Sequence, residues 1–155
     1  MVSVSNLSKR DKRYANLQQA YTTFNYSDLA ITGSPTSGPE SGETIPGGAS
    51  SLFEIAARVT ATIKNTGSVV AAEVSQLYIG FPSSAPETPV RQLRGFQKLS
   101  IKPGESVTAR FDLREKDLSY WDSTAKKWVL PKGDFKVEVG ASSRDLKLTG
   151  KLTAS

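Results

Sequence analysis

Phe53, Ile55, Ala57, Val59, Ala61 and Ile63 recur at every second position, with Glu54, Arg58, Thr60 and Thr62 among the residues between them. A period of two puts one set on one face of an extended chain, so this segment predicts a half-buried antiparallel strand. Val70–Phe81 predicts the next, with Val74, Leu77, Ile79 and Phe81 as its core members. Leu93–Ile101 follows after a loop punctuated by Pro82, Pro86 and Pro89, and Val107, Ala109, Phe111 and Leu113 alternate again. Arg114–Asp117 is a polar crossing into Leu118–Asp122. Trp128–Leu130, Phe135/Val137/Val139 and Leu146/Leu148/Leu152 complete the series. Ahead of all these, Tyr21–Ile31 predicts a first strand, with Phe24, Tyr26, Leu29 and Ile31 apolar.

Turn chemistry separates these runs. Asn65-Thr66-Gly67 offers residues that tolerate left-handed backbone angles, and Lys102-Pro103-Gly104-Glu105 has Pro and Gly in the order of a tight turn. Pro131–Gly133 and Ala141–Asp145 mark two more turns. Thr32–Ser50 holds five of the twelve glycines and three of the eight prolines, with nothing able to bury a core, and it predicts a long loop. Residues 1–20 form a polar head with a short helical turn expected around Tyr14–Ala20; the head is expected to be flexible and foreign to the domain. Residues 21–155 form one domain. About seven short strands with turns every ~8–12 residues, and no sustained helical period, predict an all-β, immunoglobulin-like Greek-key β-sandwich.

Charge changes this picture little. Of the formal +5, the head carries +3, from Lys9, Arg10, Lys12 and Arg13 against Asp11, which leaves +2 for the rest. A nucleic-acid footprint clusters its basic residues on the folded face, so no nucleic-acid partner is expected. The absence of His and Cys is more restrictive. It excludes Ser–His and Cys–His couples, disulfides and the usual nitrogen- and sulfur-ligated zinc or iron sites, so no cofactor or metal is expected. No window approaches the roughly 18 apolar residues of a membrane helix, and the first residues lack the apolar run of a signal peptide. A binding or structural module is favoured over an enzyme.

Several motifs then carry a resemblance. Tyr21-Thr-Thr-Phe24-Asn-Tyr26-Ser, Lys64-Asn-Thr-Gly67, Ala72-Glu73-Val74 and Gln76-Leu77-Tyr78 come first. Gln92-Leu93-Arg94-Gly95-Phe96-Gln-Lys98-Leu99, Leu118-Ser-Tyr120-Trp121-Asp122, Trp128-Val129 and Val139-Gly-Ala-Ser-Ser-Arg-Asp145 follow in the same order. Together they resemble the C-terminal fibronectin type III-like domain of fungal glycoside hydrolase family 3 β-glucosidases, over about residues 21–155. Ala15–Ala20 departs from the Phe-Gly-x-Gly-Leu-Ser segment expected there. The resemblance implies a fibronectin type III-like sandwich and an accessory role in cellulose or cellobiose breakdown, with the catalytic domains of a parent β-glucosidase as partner. It also implies an extracellular parent. The family's nucleophilic Asp and acid/base Glu lie in other domains, so no residue of this chain is carried over as catalytic.

The candidate contacts each have two readings. Tyr120, Trp121 and Trp128 can form an aromatic platform for sugar or lignin rings, or the two Trp can pack across the Asp122–Lys127 hairpin while Tyr120 closes a corner through its hydroxyl. Phe81, Arg94 and Phe96 can form an interdomain docking edge, with Gly95 permitting a bulge; the alternative is an ordinary strand with a solvated Arg. Asp112, Glu115, Asp117 and Asp122 supply carboxylates for glycoside chemistry in principle, but a sandwich offers no deep cleft for them. Ser142-Ser-Arg-Asp145 is expected to be a structural turn in which Asp145 bonds amides and Arg144 bridges a neighbour. Asn6-Leu-Ser and Asn25-Tyr-Ser fit the glycosylation sequon.

Overall fold

The structure, a computed structural model, describes residues 22–86 and 88–155. The head at 1–20, its expected helical turn, Asn6 and Tyr21 lie outside the described residues. Among the described residues, seven long strands form two sheets: β1 (Phe24–Thr32), β5 (Ile55–Asn65) and β8 (Ser106–Arg114) in one, and β6 (Ala71–Gly80), β7 (Gln92–Ile101), β11 (Gly133–Ser142) and β12 (Asp145–Ala154) in the other. Sheet orders are β1-β5-β8 and β12-β11-β6-β7, every pairing antiparallel. The chain crosses between the sheets at β5–β6, β7–β8 and β8–β11, and the expected all-β sandwich is the fold observed.

The core is the product of the period-two pattern. Ala57, Val59, Ala61 and Ile63 of β5 and Ala109, Phe111 and Leu113 of β8 face Leu77 and Ile79 of β6 and Phe135, Val137 and Val139 of β11, all buried. Near its start, β5 departs from the expected alternation. Phe53 belongs to a 3-10 turn, Ser50–Phe53, and Ile55 is half exposed. Val74 is also exposed: Ser75, Leu77 and Ile79 fix the inward parity of β6, and position 74 falls on the other face. In β1 the step of three between Tyr26 and Leu29 is a bulge at Asp28, whose φ is +54°.

Asn65 ends β5 by a different device from the one the sequence suggested. Neither Asn65 nor Gly67 has a positive φ. Instead the buried Asn65 side chain donates to the carbonyls of Val69 and Ile101, both at 2.8 Å, and accepts from the Gly67 N–H at 2.9 Å. The Lys102–Glu105 turn is as expected, with Gly104 at φ +77° and the Glu105 N–H bonded to the Lys102 carbonyl.

The Gly/Pro-rich stretch contains short strands where none was expected. β2 (Gly38–Pro39) pairs with β10 (Lys127–Leu130), which pairs with β9 (Tyr120–Asp122); β3 (Thr44–Ile45) pairs with β4 (Gly48–Ala49). The Ser37 N–H bonds the Ser155 carbonyl and the Ser155 N–H bonds that of Pro35, so this stretch is also tied to the end of β12.

Candidate functional site

Two adjacent 3-10 turns, Ser50–Phe53 and Glu115–Leu118, close one end of the sandwich and support the small sheet. Leu52 and Leu118 are fully buried there, and the Ser51 hydroxyl donates to the Glu115 carboxylate at 3.1 Å. Above them the β9–β10 hairpin turns because the Asp122 carboxylate accepts the N–H groups of Thr124 and Ala125. Lys126 then takes a left-handed conformation, φ +54°, before the strand resumes.

Trp121 and Trp128 are directly opposite in this hairpin, and their rings meet edge to face at 5.8 Å and 70°. Trp121 is 51% exposed. The ammonium of Lys116 lies 5.2 Å from the Trp128 ring centre and 5.8 Å from that of Phe53. Tyr120 is half-buried, and its hydroxyl makes no hydrogen bond among the described residues.

A residue that sequence reasoning passed over organises this region. Glu40 accepts the Ala49 N–H at 2.8 Å on one carboxylate oxygen and the Trp128 N–H at 2.9 Å on the other, while its own N–H bonds the Trp128 carbonyl. Bonds from the Trp128 and Ala49 backbones hold its carboxyl below the usual range. Between Glu40, the glycines at 42, 47 and 48, the two Trp, Lys126 and Lys127 there is a cleft of about 430 Å³.

The residues expected at a docking edge divide into two groups. Phe81 packs edge to face on Phe135 at 5.2 Å. Arg94 lies over Phe81 and is held by the Asp117 carbonyl at 2.8 Å and the Gln92 side chain at 2.7 Å; burial lowers its pKa. It is the extra residue of a bulge, since Leu77 pairs with Gly95 and Tyr78 with Leu93. An added Cβ at Gly95 would lie 3.1 Å from the Phe111 ring, so position 95 faces the core and Phe96 faces out, 71% exposed. The bulge reverses the parity beyond it. Leu93, opposite Tyr78, shares the outer face with Phe96 and Val74.

The carboxylates are otherwise engaged. Asp112 bridges Arg58 at 2.7 Å and Arg110 at 3.4 Å, which holds its pKa down, and Asp117 accepts the Arg114 N–H. In the Ser142–Asp145 turn, Asp145 pairs with Lys147 at 3.0 Å, and the Arg144 N–H bonds the Ser142 hydroxyl. Asn25 is exposed on β1. A second cleft of about 570 Å³ is lined by Thr22, Glu73, Asp145 and Lys147, and begins at the first described residue. There Tyr26 donates to Glu73 at 3.0 Å, and burial raises the pKa of both.

Residues 73–143 match the family model described as the Fibronectin type III-like domain. The chain is 55% identical over 134 residues to Probable beta-glucosidase L of Aspergillus terreus, which covers 86% of this chain and 18% of that protein. The crystal structure of beta-D-glucoside glucohydrolase from Trichoderma reesei superposes with a TM-score of 0.85 at 55% identity, over 87% of this chain and 19% of that one. A glycoside hydrolase family 3 beta-glucosidase of Bifidobacterium adolescentis is 32% identical, with a TM-score of 0.71, over 86% and 17%. The chain thus spans about a fifth of the length of the β-glucosidases it resembles. Among the described residues, no helix is long and apolar enough to cross a membrane.

Proposed function

We propose that the chain is a non-catalytic accessory domain of an extracellular β-glucosidase of cellulose or cellobiose breakdown, and that it stabilises the catalytic domains by packing on them. The difference between the two outer faces of the sandwich supports this. Arg58, Thr60, Thr62, Thr108, Arg110 and Asp112 alternate with the core residues of β5 and β8, and that face is polar. The outer side of β6 and β7 instead presents Val74, Leu93 and Phe96, which are 38, 49 and 71% exposed. Val74 sits diagonal to Phe96, within side-chain reach across the strands. Apolar clusters of this kind mark interaction surfaces, and the matching β-glucosidases contain the additional chain to cover one.

The test mixes the 155-residue chain with a matching β-glucosidase from which the corresponding segment has been deleted. Association on size exclusion and a rise in the enzyme's thermal stability are expected. Phe96→Glu should weaken association about tenfold or more while leaving the domain's circular dichroism unchanged. No association, or association indifferent to Phe96, would contradict the docking role. The isolated chain is expected to show no turnover of an aryl β-glucoside.

A second reading, a binding module for a lignin or polysaccharide surface, draws support from the exposure of Trp121 and the neighbouring lysines. A flat polymer calls for coplanar rings, and these two stand at 70°. The packing role is therefore the better supported.

A further inference from the structure

We propose that the cleft between the β9–β10 hairpin and the Glu40–Ala49 segment is a binding subsite for a single uncharged pyranoside ring. This goes beyond the packing role and uses different residues. At about 430 Å³ the cleft falls within the range of small-molecule sites, ~300–1,000 Å³. Its apolar wall is an aromatic corner, with Trp121 and Trp128 meeting at 70°. Lys116 lies over the Trp128 ring, whereas the Trp121 indole is half exposed. Trp121 therefore supplies the surface for the CH face of a sugar, and Trp128 bounds it on one side.

The polar groups select the class of ligand. The Glu40 carboxylate is fixed by two backbone N–H groups, and each oxygen keeps a lone pair for a hydroxyl donor. Lys126 and Lys127 line the same cleft, and the positive charge of Lys127 acts on Glu40. A carboxylate beside ammonium groups repels an anion through one partner and a cation through the other. A neutral polyol, with hydroxyls that both donate and accept, satisfies both. The backbone gives a separate indication. Lys126 holds φ +54°, a conformation that glycine adopts without a Cβ penalty. The chain places a long cationic side chain at that strained position, and it lines the cleft.

The chain's two tryptophans both lie here, so their emission reports on this site alone. Titration with methyl β-D-glucoside is expected to give a saturable change in tryptophan fluorescence, with amide shifts confined to residues near 40–49 and 121–128. Trp121→Ala should weaken binding about tenfold. Lys126→Gly should weaken binding while raising Tm, a pairing that a purely structural lysine would not produce. Phe96→Glu should bind as the native chain does. The proposal is overturned by no saturable response, by a response that survives Trp121→Ala, or by shifts centred on Phe96. Depletion by insoluble cellulose or lignin that the glucoside does not compete away would also overturn it in favour of a polymer surface.

Discussion

Asn65 bonds three backbone groups with one side chain, at a site fully removed from water. Its removal leaves two carbonyls and an N–H to find other partners in a place that water does not reach. Asn65→Ala should therefore cost about 3 kcal/mol, measured by urea unfolding with an unchanged m-value. Lys126 is the opposite case, a residue at odds with its backbone. Lys126→Gly should stabilise the chain by about 1 kcal/mol, or ~2–4 °C in Tm by calorimetry. Sequence reasoning located the Asn65 turn but assigned it to the wrong property. Composition marks a turn without saying whether the backbone or the side chain makes it. The misplacement of Ile55 and Val74 has a similar origin, because a period-two count continues across residues whose parity only the paired strand determines.

At the scale of elements, the Gly/Pro-rich segment is the main departure from expectation. Two-residue strands carry no periodicity, and Glu40 meets Trp128 across 88 positions of sequence. No local signal links them. Glu40 joins this segment to the hairpin through two N–H groups that only an ionised carboxylate can accept in this symmetrical way. Its folded-state pKa is lowered, chiefly by the Trp128 and Ala49 backbone bonds. The stabilisation is then present above the unfolded-state carboxyl pKa and is lost as pH falls through the lower folded-state value. Glu40→Gln, with a single acceptor oxygen, should lower Tm by a few degrees at pH 7, and the gap should close as the pH falls through the acidic range. A gap independent of pH would show that the carboxylate charge is not what holds the segment. The β7 bulge, by contrast, was foreshadowed by Gly95, because a glycine inside a strand marks a close approach or an irregular pairing.

The architecture of the whole molecule was the most legible level, since seven long strands with one buried face each leave few solutions other than two packed sheets. The two outer faces were harder to read. Leu93 and Phe96 are three apart and share a face only because Arg94 is extra in the ladder. Exposed ion pairs such as Arg58–Asp112 decorate the polar face and contribute little to stability, so they do not identify a binding surface. Under the proposed docking role, the apolar face of β6 and β7 is the surface that the catalytic domains cover, with Phe96 its most exposed residue. Because the chain has no cysteine, Phe96→Cys and Thr108→Cys each introduce a unique thiol, one on each outer face. The decisive measurement is the alkylation rate of each thiol, free and after the chain is bound to a matching β-glucosidase lacking the corresponding segment. Protection at position 96 with an unchanged rate at 108 is expected; an unchanged rate at 96 in the bound chain would contradict the account.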